Sequence, residues 1–290
     1  MNVCVIGVGN IGMRYVQGIT ASFPDAKLYL VDSPARLVEL EKLDLGNVSL
    51  CDSLDAVNGS IELFVVATSC EPRLSIYKQC IARNPRFIIL EKYLFKSRDE
   101  FDESLQLAQV PTFVNQWMYG SGTFDCLFEK EARSVEVSGS GWGLSCNAVH
   151  WIDVMKRHLK IEGLRVGQGT SVTEVFASKR DGYEEIYGEL VFEDVDSNKR
   201  FTLIDKYDEG LLNKMIITVD GRACEFDFSC IKENGKVLSQ FPYFSSLIGG
   251  IVGDLMDSGQ CHLPNLQESI SQHLLIEDVL ETLDRRPVIT

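Results

Sequence analysis

The chain has 290 residues, 45% of them hydrophobic and 24% charged, enough to bury the cores of two modest domains and too evenly mixed for a disordered protein. With 42 acidic against 28 basic residues it carries a formal charge of -14, which disfavours nucleic acid and anionic membrane as partners, since phosphates are bound by clustered Lys and Arg. No apolar run approaches the roughly 18 residues of a membrane span and no signal-type leader precedes the first predicted strand, so a cytoplasmic location is expected.

The apolar run Val3 to Ile6 predicts a strand, and Ile11 to Ile19 a helix. Between them stands Gly7-Val8-Gly9-Asn10-Ile11-Gly12. Strand, glycines and helix in that order suit a dinucleotide: Gly7 allows the tight turn, Gly9 lets backbone approach a pyrophosphate, and Gly12 lets the helix pack close to the strand. Asn10 and Ile11 then contribute N–H groups at a helix N-terminus, where phosphates bind. A second strand, Leu28 to Val31, ends at Asp32, roughly 20 residues after the last glycine, where a carboxylate accepts the ribose hydroxyls. Facing the adenosine 2′ position, Asp32 favours NAD over NADP, and Arg36 lies near enough in sequence to soften the discrimination.

Further strands are predicted at Ile61 to Ala67, Phe87 to Leu90 and Thr112 to Val114, with helices at Arg36 to Lys42, Arg73 to Arg83 and Asp99 to Leu107. This alternation implies βαβ units around a parallel sheet, a Rossmann dinucleotide-binding domain over residues 1–119. Ligands of such sheets gather at the carboxyl ends of the strands. That rule selects Thr68-Ser69, Glu91-Lys92 and Asn115-Gln116.

After Gly120-Ser121-Gly122 the pattern changes. Val135 to Ser138 predicts a strand, Gly139 to Gly143 a glycine-rich loop, and Asn147 to Leu159 a helix. Leu164 to Ser178, Glu185 to Phe192, Arg200 to Lys206, Lys214 to Val219 and Ala223 to Phe228 alternate apolar and polar residues, the mark of half-buried strands, with Asp220-Gly221 as a hairpin turn. Tyr243 to Asp257 and Leu266 to Leu283 read as closing helices. Residues 120–290 are therefore expected to form an α+β substrate-binding and oligomerisation domain with an open, mainly antiparallel sheet. Its uncovered face suits a second subunit, as a homodimer or homotetramer. The nine cysteines form no CxxC pair and read as reduced thiols, with no metal site.

Three stretches resemble the glucose-fructose oxidoreductase and inositol dehydrogenase family (Gfo/Idh/MocA) across nearly the whole chain. One is the glycine motif with Asp32. Another is Val65-Val66-Ala67-Thr68-Ser69 followed by Leu90-Glu91-Lys92, similar to the family's Ala-Thr segment and Glu-Lys-Pro motif. The last is Asn147-Ala148-Val149-His150-Trp151-Ile152-Asp153, similar to its His-x-x-Asp helix. Tyr93 stands where the family has Pro, and Cys146 where it commonly has Asp four residues before the histidine.

The resemblance implies an NAD(P)-dependent oxidoreductase acting on a hydroxyl or keto carbon of a sugar, polyol or nucleotide sugar, its site lying between the two domains. Lys92 orients the substrate oxygen and stabilises its charge, and His150 exchanges the hydroxyl proton. Glu91 belongs to the cofactor side. Cys146 and Asn147 fall in the substrate pocket, and Trp142 and Trp117 are suited either to stack on a sugar face or to pack in the core or a loop. Asp153 is expected to brace the helix. His158, without the i, i+4 spacing of helical metal ligands, reads as structural. A competing reading is a dinucleotide-binding sensor without catalysis, favoured by Tyr93 and Cys146 and opposed by Lys92 and His150. A third is a reductase of a larger, non-sugar substrate.

Overall fold

The computed structural model describes residues 1–212 and 214–289. It contains two compact units. One comprises Met1–Asn115 with Tyr243–Ile270, the other Gln116–Pro242 with the chain from Ser271 on.

The first unit runs β1 (Asn2–Ile6), α1 (Asn10–Ser22), β2 (Lys27–Val31), α2 (Pro34–Leu40), β3 (Val48–Cys51), β4 (Leu63–Val66), α3 (Arg73–Ala82), β5 (Phe87–Leu90), α4 (Arg98–Leu107) and β6 (Thr112–Val114). The six strands form one sheet in the order β3-β2-β1-β4-β5-β6, every neighbouring pair parallel. Strand order reverses between β1 and β4, the position where such sheets open a crevice at their carboxyl edge. The buried residues of β1, β4 and β5 form nearly unbroken apolar runs, as strands covered on both faces must. β3 has no counterpart among the predicted strands. It is short, at the sheet edge and mostly half-buried, so it lacks both alternation and a solid apolar run.

The second unit holds β7 (Ser134–Gly139), α5 (Leu144–His158), β8 (Leu164–Val166), β9 (Ser171–Ala177), β10 (Glu184–Asp194), β11 (Arg200–Asp205), β12 (Met215–Val219), β13 (Arg222–Phe226), β14 (Cys230–Glu233) and β15 (Lys236–Gln240). They make a nine-stranded sheet in the order β15-β14-β13-β12-β7-β11-β10-β8, with β9 also paired to β10. β7 and β11 are parallel; the other neighbours run antiparallel. Alternate residues point to a buried face: Val135 and Val137, Phe201 and Leu203, Met215 and Ile217. α5 packs against β10 and β11. On the opposite face Glu136 is exposed, while Ser138, Thr202, Ile204, Ile216 and Thr218 are half-buried. The stretch Leu164 to Ser178, expected as one strand, is two, because Gly167 to Thr170 turn between β8 and β9 with Gly169 at φ 93°. At the Asp220-Gly221 hairpin both residues have positive φ, and the Asp220 carboxylate accepts from the Arg133 and Ser134 N–H groups.

α6 (Phe244–Ser258) and α7 (Leu266–Leu280) follow. The chain first passes from one unit to the other at Asn115/Gln116, and residues 243–270 return to the first unit. Close packing explains why. α6 lies on α1, where a Cβ on Gly18 would meet Ile248 Cβ and the Ser245 carbonyl at 2.6 Å and one on Gly249 would strike the Ser22 side chain. Tyr15 and Phe244 meet edge to face at 5.1 Å. The segment beyond α6 then borders β6: Val114 N–H donates to the Pro264 carbonyl at 3.0 Å, and Phe113 bridges to Asn265. No helix among the described residues is long and apolar enough to cross a membrane.

Candidate active site

The glycines between β1 and α1 meet three different demands. Gly7, at φ 83°, turns the chain, and a Cβ there would press on the Ala67 carbonyl group at 3.0 Å. Gly12 faces inward, where a Cβ would collide with the Gly7 carbonyl oxygen. Gly9 differs. It caps α1 with ordinary φ, is exposed, and has nothing within 4 Å of a Cβ position. Backbone is therefore bare in front of the helix N-terminus, where Asn10 and Ile11 are also exposed, which is the shape and polarity that a pyrophosphate requires.

Asp32, directly after β2, lies against this loop. Its Oδ2 accepts the Val8 N–H at 2.6 Å and its Oδ1 the Ser33 N–H at 2.7 Å. Arg36 reaches the same Val8 peptide from α2: Nε donates to the carbonyl at 2.9 Å, and Nη1 pairs with Glu39. The structure thus brings Asp32 and Arg36 together at the second residue of the glycine motif. These residues fit the adenosine half of a dinucleotide: a half-buried carboxylate and a guanidinium beside an open cradle.

Three further strand ends carry the other predicted residues. Thr68 and Ser69 follow β4, half-buried, with the Thr68 hydroxyl donating to the Ser69 carbonyl at 3.1 Å. Glu91 and Lys92 follow β5. Lys92 is half-buried, and the Lys92–Tyr93 peptide is cis. Asn115 follows β6, and its side-chain N–H donates to Glu91 Oε1. Burial pushes the Glu91 carboxyl up to about 7, against the opposing pull of the Asn115 hydrogen bond and the nearby Arg73 and Lys92 charges. Arg73 was not among the predicted residues. Buried at the start of α3, it donates to the carbonyls of Thr68, Tyr93 and Leu94. Nothing in the sequence separates it from a surface arginine opening an amphipathic helix.

In the second unit His150 lies in the middle of α5, 7% exposed. Cys146 and Asn147 stand one turn before it, half-buried. The Cys146 thiol donates to the Gly143 carbonyl at 3.7 Å and the Asn147 amide to the Trp142 carbonyl at 2.7 Å, so both fold back onto the glycine-rich loop. Trp142 is half-buried, its ring N–H given to the Ile204 carbonyl. Asp153 Oδ1 accepts from Arg157 at 2.9 Å and from Gln272 at 3.1 Å, and Gln116 in turn donates to Gln272 and to the Val149 carbonyl. This network braces α5. His158 stacks on Phe128 at 4.3 Å and lies 3.7 Å from Asp125; burial lowers its pKa.

Two buried carboxylates at the start of α5 escaped sequence reading because they sit in alternating strands as ordinary acidic residues. Asp205 accepts the Gly141 and Gly143 N–H groups at 2.6 and 3.0 Å, and burial pushes it up to about 6. Glu185 accepts from the Ser145 hydroxyl and N–H at 2.5 and 3.1 Å. Together they fix the loop that carries Trp142 and the first turn that carries Cys146 and Asn147.

No family model and no curated protein matches the chain. Solved structures share its fold. A protein described as an NADPH-dependent oxidoreductase from Desulfitobacterium hafniense aligns with a TM-score of 0.77 at 16% identity, over 99% of this chain and 96% of that one. GenD2 from gentamicin A biosynthesis, solved with NAD, aligns at 0.69 and 17%, over 96% and 92%. UDP-N-acetylglucosamine 3-dehydrogenase from Acidithiobacillus ferrooxidans aligns at 0.69 and 14%, over 97% and 96%. The parallel sheet and the open, mainly antiparallel sheet expected from the sequence patterning are the fold observed.

Proposed function

We propose that the chain is a nicotinamide-dependent oxidoreductase of the glucose-fructose oxidoreductase and inositol dehydrogenase family, acting on a hydroxyl- or keto-bearing carbon of a sugar, polyol or nucleotide sugar. The observation that carries the reading is the cradle: open backbone at Gly9, a glycine forced at Gly12, and Asp32 hydrogen-bonded to Val8 just before them. The NAD complex of GenD2 and the nucleotide-sugar substrate in the name of the Acidithiobacillus enzyme support it as proteins of like fold.

In this reading Gly7, Gly9, Asn10, Ile11 and Gly12 hold the pyrophosphate, Asp32 and Arg36 the adenosine ribose, and Thr68, Ser69, Glu91 and Asn115 the nicotinamide half. The bound nicotinamide supplies the hydride chemistry; the protein supplies alignment and electrostatics. Lys92 donates a hydrogen bond to the substrate oxygen and stabilises the charge that develops there. His150 removes or returns the hydroxyl proton. Trp142, Cys146 and Asn147 shape the substrate side.

NAD is the preferred cofactor. A 2′-phosphate ~4 Å from the Asp32 carboxylate meets roughly 4 kcal/mol of repulsion per unit charge pair at an effective dielectric of about 20. Fluorescence titration with NADH and NADPH, followed by absorbance assays of NAD with polyols, sugars and nucleotide sugars, tests the whole reading. Tighter binding of NADH and turnover of one substrate class are expected. Failure to bind either dinucleotide sinks the reading, equal affinities remove the NAD assignment, and binding without turnover on any substrate turns it toward a sensor.

A further inference from the structure

Two loops at the carboxyl edge of the first sheet are joined by a side chain outside the glycine motif. Arg73 is the first residue of α3 and 1% exposed. One guanidinium nitrogen, Nη2, donates to the Thr68 carbonyl in the loop after β4. The other, Nη1, donates to the Tyr93 carbonyl and, at 2.8 Å, to that of Leu94, in the segment that begins with Lys92.

Helix electrostatics do not account for this choice. A cation in the first turn opposes the helix dipole, which favours negative charge there. Burial of the charge adds a desolvation penalty that only directed hydrogen bonds offset. A guanidinium is suited to the place because its rigid planar fork meets several carbonyls at fixed angles, which the single-point ammonium of lysine does not. The charge also faces Glu91 and helps keep that buried carboxyl from rising further.

We propose that Arg73 is a positioning residue for Lys92: it pins the backbone just after Lys92 to the Thr68 carbonyl, so that the ammonium and the Thr68–Ser69 loop form one preset surface toward the ligand. The assignment of what that surface meets rests on the oxidoreductase reading.

The test compares Arg73→Met and Arg73→Lys with the unaltered full chain. Lys92 is acetylated by trace acetic anhydride in competition with the exposed Lys42, from neutral to alkaline pH, and the modified peptides are quantified by mass spectrometry. In Arg73→Met the ratio of Lys92 to Lys42 labelling should change by about threefold or more, and Arg73→Lys should restore part of the difference. An unchanged ratio in the folded variant overturns the proposal. If Arg73→Met fails to fold, Arg73→Lys decides by the same ratio against the unaltered chain; if neither folds, Arg73 is a stability residue and the proposal is wrong. The labelling requires neither cofactor nor substrate. Failure of the unaltered protein to bind NADH would therefore count against the oxidoreductase reading alone.

Discussion

His150 occupies a helix position held from several directions: Gln116 binds the carbonyl of its neighbour Val149, and Asp153 one turn on is tied to Arg157 and Gln272. A helix segment so braced shifts little when a substrate arrives, which is what proton transfer requires. Replacing it with Asn should lower kcat by about 10²- to 10⁴-fold, the range for a general acid–base group, while NADH affinity stays near that of the unaltered protein. Lys92→Met should cost at least as much rate and also weaken NADH binding. Both variants should melt near the unaltered temperature. A His150→Asn enzyme that keeps most of its kcat would remove the assignment. Glu91 gives a second prediction at this scale. Its folded value of about 7 lies above the ordinary 4.5, so the folded chain holds a proton that the unfolded chain has released in that interval. The resulting stability is full below the lower value and lost as pH rises through the upper one. Glu91→Gln cannot ionise, so its melting temperature relative to the unaltered protein should climb between about pH 5 and about pH 8, at roughly 2–4 °C for each kcal/mol involved. A constant difference across that range would show that the carboxyl does not titrate there. Of these residues, Lys92, His150 and Glu91 were legible from motif and strand-end position. Arg73, Asp205 and Glu185 were not, because their importance comes from burial against distant backbone, to which local pattern is blind.

Among the elements, the loop from β1 into α1 allows binding and stability to be separated with one methyl group each. Gly12→Ala drives a Cβ into the Gly7 carbonyl and should destabilise the chain by about 1–3 kcal/mol, as overpacking does. Gly9→Ala meets nothing in the protein itself and should leave the melting temperature unchanged, yet on the proposed function its methyl group would stand in the path of the pyrophosphate, so NADH affinity should drop by about tenfold or more. Should Gly9→Ala bind NADH as before, the proposed pyrophosphate cradle is wrong. The strands leading to this loop and the helix following it were readable because solid apolar runs and 3.6-residue spacing are strong signals. The edge strand β3 and the hairpin β14–β15 were not. Cys230 to Glu233 and Lys236 to Gln240 carry too few apolar residues to mark a face, and their strand state comes from pairing of β14 with β13 and of β15 with β14 rather than from local preference.

For the molecule as a whole, the sheet of the second unit leaves one face only partly covered, with Ile204, Ile216, Thr202 and Thr218 half-buried beside Ser138. A face of this kind suits pairing with a second copy of the chain. Sedimentation at micromolar concentration should show a homodimer or homotetramer; a strict monomer would reject the pairing. The return of α6 to the first unit has a consequence for how the molecule is made. Gly18 and Gly249 pack the same interface, yet the ribosome must add the whole second unit's sheet between them. At about 5–20 residues per second, the apolar side of α1 emerges some 10–50 s before its covering helix exists. Vectorial synthesis therefore cannot complete the first unit before the second is made. The apolar side of α1 in the nascent chain must be kept from aggregating until α6 is translated.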